Sequence, residues 1–143
     1  MRNILMSRFA ALVLGVIAVL SCGVQGTKAQ LTLPMRLMIF FDYQRTEITK
    51  PAEQIIDAAV NVFKATGASS VRIVGHTDTA PSAEASKRLS QARADIVKSA
   101  LASKGIPAST MTVVAAGKSE TMVPTPDGQR EPQNRRVEII ISK

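Results

Sequence analysis

One stretch, Val71–Ala94 (VRIVGHTDTAPSAEASKRLSQARA), constrains the fold more than any other part of the chain. Val71 and Ile73 alternate with Arg72, and the run stops at Gly75, the pattern of a strand with one apolar face. His76, Thr77 and Asp78 follow as a polar crossover, and after Pro81 the apolar spacing changes. Leu89, Ile96, Val97, Ala100 and Leu101 recur at three- and four-residue intervals, which predicts an amphipathic helix. Arg93 lies about three turns into that helix. A carboxylate at a strand end and a guanidinium on the next helix can together grip a ligand that carries an ammonium and a carboxylate, because one group only accepts hydrogen bonds and the other only donates them. The plainer alternatives are that Asp78 caps its turn and that Arg93 pairs on the surface with Glu84 or Asp95.

The rest of the chain supplies the partners for this unit. Arg36–Asp42 is a continuous apolar run closed by a charge and reads as a buried strand. Pro51 suits a first helical turn, and Ala52–Thr66 places Ile55, Ile56, Ala59, Val60 and Phe63 on one face before Gly67 ends the helix. The second helix stops at Gly105 and Pro107, Met111–Ala116 is a third strand, and Arg135–Ser142 is the last. Between those two strands, Gly117–Asn134 holds three prolines and two glycines without apolar periodicity, and reads as a long surface loop. Arg135 and Arg136 open the last strand, where pairing with Asp42 or Glu138 would be structural. Two strand–helix–strand crossovers imply parallel pairings, between neighbours or through a gap. The predicted class is α/β, two helices packed on a mixed four-stranded sheet in the order βαβαβ-β.

The N-terminus reads as export sequence. Arg2 and Arg8 precede an apolar run from Phe9 to Leu20, shorter than the roughly 20 residues a membrane span needs. Residues 1–29 are therefore expected to be a signal peptide with two competing cut sites. One lies before Cys22, in Val19-Leu20-Ser21-Cys22, which resembles a bacterial lipobox and would leave Cys22 lipidated. The other follows Ala29. Residues 30–35 form a short lead-in, and residues 36–143 form one domain.

Composition narrows the function. The net charge of +7 falls once Arg2, Arg8 and Lys28 leave, to 15 basic against 11 acidic residues. No basic run interleaves with aromatics, so nucleic acid is not an expected partner. The single cysteine forbids an internal disulfide, and one histidine argues against a zinc site, so no cofactor is expected. No phosphate loop, nucleophile elbow or metal cluster is present in the sequence, and the chain is not expected to be an enzyme.

From Phe40 onward the chain resembles the OmpA-like C-terminal domain, the module shared by outer-membrane OmpA proteins, peptidoglycan-associated lipoproteins and flagellar stator proteins. The matching segments are Ile39-Phe40-Phe41-Asp42, Val74-Gly75-His76-Thr77-Asp78, Leu89-Ser90-Gln91-Ala92-Arg93-Ala94, and Gly117 with Pro132-Gln133-Asn134-Arg135-Arg136-Val137-Glu138-Ile139. The resemblance implies non-covalent binding of the peptidoglycan stem peptide through its diaminopimelate residue. By that likeness Asp78 engages the ligand's ammonium and Arg93 its carboxylate, with Thr77 beside Asp78 and Gln44 at a second polar position. The sequence departs from the family pattern at Pro81, where glycine is usual, and at Ala85-Ser86, where Tyr-Asn is usual. Ser86 replaces an amide that contacts ligand in the family.

The expected role is tethering the outer membrane or an envelope complex to the wall, in the periplasm or on the periplasmic face of the outer membrane of a diderm bacterium. The expected partners are peptidoglycan, the membrane through a lipid on Cys22, and envelope proteins. The alternative is a periplasmic protein-interaction module on the same fold with a decayed ligand site.

Overall fold

The helices begin and end where local chemistry dictates. In a computed structural model that describes residues 33–143, α1 spans Lys50–Thr66. Thr49 caps it by accepting the Ala52 N–H at 3.4 Å, Pro51 sits in the first turn, and Gly67 closes it with φ of 61°, a left-handed value that glycine adopts without strain. The second helix, α2, spans Ala83–Ser103 and is capped by Ser82, whose hydroxyl accepts the Ala85 N–H at 3.2 Å. Pro81 sits just ahead of that cap. The export segment, both of its cut sites and Cys22 lie outside the described residues.

Four strands, β1 (Met35–Phe40), β2 (Ser70–His76), β3 (Met111–Gly117) and β4 (Arg136–Ser142), form one sheet in the order β1-β4-β2-β3. β4 runs antiparallel to both of its neighbours, and β2 pairs in parallel with β3. β1 and β2 are thus parallel across a gap that β4 fills. Both helices cover one face. Ile39, Phe41, Val71, Ile73, Val137, Ile139 and Ile141 point from the sheet into a core completed by Ile56, Ala59 and Val60 of α1 and Ala94, Val97 and Leu101 of α2.

Two details correct the reading of α2. Ile96, expected on its apolar face, is 38% exposed. The buried stripe instead runs through Ser86, Ser90, Arg93, Ala94, Val97 and Leu101, so its N-terminal half is polar. Gly75 explains how that half approaches β2 so closely. A Cβ at Gly75 would overlap the backbone carbonyl of Ser90, so helix and strand touch main chain to main chain there.

The stretch between β3 and β4 is more ordered than a free surface loop. Asn134, fully buried in a short turn at Pro132–Asn134, bonds Val123 through both its N–H and its carbonyl, at 2.8 and 2.9 Å, and reaches the Thr125 hydroxyl at 3.1 Å. Thr79 holds the same stretch from the other side. Its hydroxyl lies 2.6 Å from the Pro126 carbonyl, and its own carbonyl accepts the Gly128 N–H at 3.0 Å.

Candidate functional site

The site gathers where β1 and β2 end and β4 begins. β1 stops at Phe40, and the chain turns through Asp42–Arg45, where the Arg45 N–H returns to the Asp42 carbonyl at 3.1 Å. Gln44 takes φ of 53° in this turn. β2 delivers Thr77 and Asp78 beside it, 1% exposed each. Neither residue is on the surface.

Arg93 lies under this assembly and is 0% exposed. Its guanidinium donates to three backbone carbonyls, Arg45 at 3.0 Å through Nε, His76 at 3.1 Å through Nη1 and Asp42 at 3.0 Å through Nη2. It also stacks 5.2 Å from the Phe41 ring centre. The surface ion pair with Glu84 or Asp95 is therefore not formed. Glu84 pairs with Arg88 instead, and Asp95 accepts from Gln91. Burial, reinforced by the neighbouring Arg135 charge and opposed by Asp78, lowers the Arg93 pKa to about 10, so it stays cationic at neutral pH.

Asp78 does not serve as a local cap. One of its carboxylate oxygens, Oδ2, lies 3.2 Å from Nη1 of Arg135, whose Nε donates to the Phe41 carbonyl at 3.0 Å. The sequence leaves open which of Arg135 and Arg136 pairs with Asp42 or Glu138. The structure places Arg135 at the site, pinning the end of β1 to Asp78. It lies just before β4 and partly faces solvent. Signal for this was weak in the sequence, because two adjacent arginines at a strand start do not say which one turns toward which strand end. Its neighbour Arg136 does pair with Glu138, at 2.7 and 2.9 Å, on the sheet face away from the helices.

The lesser candidates divide. The hydroxyls of Thr77 and Ser86 are buried with no hydrogen-bond partner among the described residues. Ser86 sits on the buried stripe of α2, next to Gly117 of β3, rather than on an open crossover. Gln44 is exposed and its amide donates to the Tyr43 hydroxyl at 3.4 Å. Asp42 is exposed and lines a cavity of about 420 Å³ with Phe41, Thr49, Pro132, Gln133 and Arg135. Arg130 lies 3.8 Å over the Tyr43 ring, joining the β3–β4 stretch to the turn that follows β1. Among the described residues no group of three or more His, Cys, Asp or Glu is placed to hold a metal ion.

Two arginines, one buried aspartate and one exposed aspartate thus meet at three strand ends. Such a place can receive a small ligand carrying opposite charges, with the sheet ends as a rigid frame.

Residues 40–135 match the OmpA family model, and the chain belongs to that family. It is 35% identical over 98 residues to the peptidoglycan-associated lipoprotein of Haemophilus influenzae, covering 68% of this chain and 64% of that one. It is 30% identical over 122 residues to the probable lipoprotein YiaD of Escherichia coli, covering 84% of this chain and 56% of that one. The chain spans less than two thirds of the length of either relative. Its fold matches the crystal structure of the peptidoglycan-associated lipoprotein from Burkholderia pseudomallei with a TM-score of 0.67 and 24% identity, over 74% of this chain and 90% of that one.

Proposed function

We propose that the chain is a peptidoglycan-binding module of the cell envelope, and that it holds the diaminopimelate residue of the wall's stem peptide at the strand-end cluster. The observation that carries this is the convergence of Asp78, Arg93 and Arg135 at one place, in a member of the OmpA family. Asp78 receives the ligand's ammonium. Arg93 holds its carboxylate, since three of its five N–H groups go to backbone carbonyls and the others remain for a ligand. Because Arg93 is covered by the turn at Asp42–Arg45, the ligand's entry shifts that turn. Arg135 moves from Asp78 toward the carboxylate as the ammonium takes its place. Thr77 and Ser86 add neutral hydroxyls at the floor, and Gln44 a polar group at the rim.

With a lipid on Cys22 the module ties the outer membrane to the wall, whereas cleavage after Ala29 makes it a soluble periplasmic wall binder. Fatty-acid labelling of the wild type and Cys22→Ser separates the two.

Co-sedimentation with insoluble peptidoglycan tests the main reading. The wild type is expected to sediment. Asp78→Asn and Arg135→Ala are expected to lose at least ten-fold in affinity while unfolding cooperatively. A folded wild type that stays in the supernatant overturns the wall-binding reading and leaves a protein-interaction module on the same fold.

A further inference from the structure

The turn that follows β1 is held by two arginines from different parts of the chain. The buried Arg93 guanidinium donates to the carbonyls of Asp42 and Arg45, both at 3.0 Å. The exposed Arg130 guanidinium stacks on Tyr43, 3.8 Å from the ring centre. Next to Tyr43, Gln44 has φ of 53°, the one positive value at a non-glycine among the described residues. A residue with a side chain keeps that left-handed conformation at a cost, and only where its surroundings enforce it. Relaxation of Gln44 therefore favours a different arrangement of the turn.

The arm that carries Arg130 is anchored independently of that turn. The Thr79 hydroxyl lies 2.6 Å from the Pro126 carbonyl and 3.0 Å from that of Gln129, and the Thr79 carbonyl accepts the Gly128 N–H at 3.0 Å. Lys118 pairs with Asp127 on the same arm. Thr79 is buried and directly follows Asp78, so Arg130 reaches the turn from a base fixed to the end of β2.

We propose that Tyr43 and Arg130 form a latch. Their stack holds the Asp42–Arg45 turn closed over Arg93, and its release opens the way to the Arg93 N–H groups that the turn leaves unused. This deepens the wall-binding reading and rests on it for the identity of the ligand. A site that binds only when open loses affinity in proportion to the fraction of molecules that are closed. Removing the latch should therefore tighten binding, whereas removing a ligand contact would weaken it. The strength of an exposed cation–π contact sets the gain at about two- to five-fold. Tyr43 and Arg130 are positioning residues, and neither side chain has to touch the ligand.

The test titrates the full-length protein in mild detergent with a soluble disaccharide–tetrapeptide containing diaminopimelate, beside Arg130→Gln, Tyr43→Leu and the double variant. Each single variant is expected to bind more tightly by that factor, and the double no more tightly than either, since all three remove the same contact. Amide exchange without ligand supplies a second readout. The Arg45 N–H, which bonds the Asp42 carbonyl at 3.1 Å, should exchange faster in the variants, with Ile139 in β4 unchanged. Weaker binding by Arg130→Gln overturns the proposal and makes Arg130 a ligand contact. Unchanged affinity overturns it too, as do gains that add in the double variant or exchange at Arg45 that does not respond. A wild type that binds no muropeptide overturns the wall-binding reading instead, and exchange at Arg45 still decides whether the stack holds the turn.

Discussion

The two halves of the buried stripe on α2 are equally inaccessible and work by different physics. Toward the C-terminus, Ala94, Val97 and Leu101 join the apolar core, where contact is non-directional and repacking absorbs change. Toward the N-terminus, Ser90 and Arg93 make directed bonds. Ser90 accepts the Gly117 N–H at 3.0 Å, and Arg93 binds carbonyls of the turn after β1 and of β2. The apolar half holds the layers together. The polar half sets where three strand ends lie relative to one another, which is what a ligand site needs.

Arg93→Leu should break the polar half with the largest effect. It strands three carbonyls that now accept from a charged donor, and the expected loss is about 4 kcal/mol in urea unfolding. Arg93→Lys keeps the charge without the planar fork, and should recover part of that stability but little wall binding. Leu101→Ala tests the apolar half. It should cost about 3 kcal/mol by leaving a cavity, yet sediment with peptidoglycan like the wild type at temperatures well below its melting point. If Leu101→Ala impairs binding as much as Arg93→Lys does, the distinction between the two halves falls.

The smallest effect concerns His76, on the opposite face of the sheet. Its ring is 1% exposed, both nitrogens lack hydrogen-bond partners among the described residues, and Nε2 is 3.7 Å from Glu138. Burial lowers its pKa below 6.5, helped by Arg136 and opposed by Glu138 and Glu120. The unfolded chain then binds the proton more readily than the folded one. Stability should therefore be full above about pH 6.5 and decline as pH falls toward the lowered value. Because this is the chain's one histidine, His76→Gln should flatten the stability curve as pH falls below about 6.5, which thermal unfolding at successive pH values would measure.

Much of this architecture was legible in the chain. Pro51 and Gly67 bracket α1, and alternation at Val137, Ile139 and Ile141 marks the buried face of β4. The position of β4 between β1 and β2 was not legible: the crossovers imply parallel pairings either between neighbours or through a gap, and strand order depends on contacts distant in sequence. At the site, the pattern pointed to Asp78 and Arg93 but misplaced their surroundings. A periodicity search counts apolar residues, so it chose Ile96 and passed over a stripe that is serine and arginine for half its length. Arg135 was passed over for a related reason. Its partner is 57 residues away in sequence, and only the closed sheet brings them together.

The strand order has a consequence for how the chain matures. β4 is the last of the four strands in sequence, yet β1 reaches β2 only through it. While synthesis is under way, β1, α1 and the parallel β2–β3 unit can form local structure, but the sheet cannot close and Asp78 lacks the Arg135 that clasps it. Closure of the sheet thus waits for β4, which completes its most distant pairings.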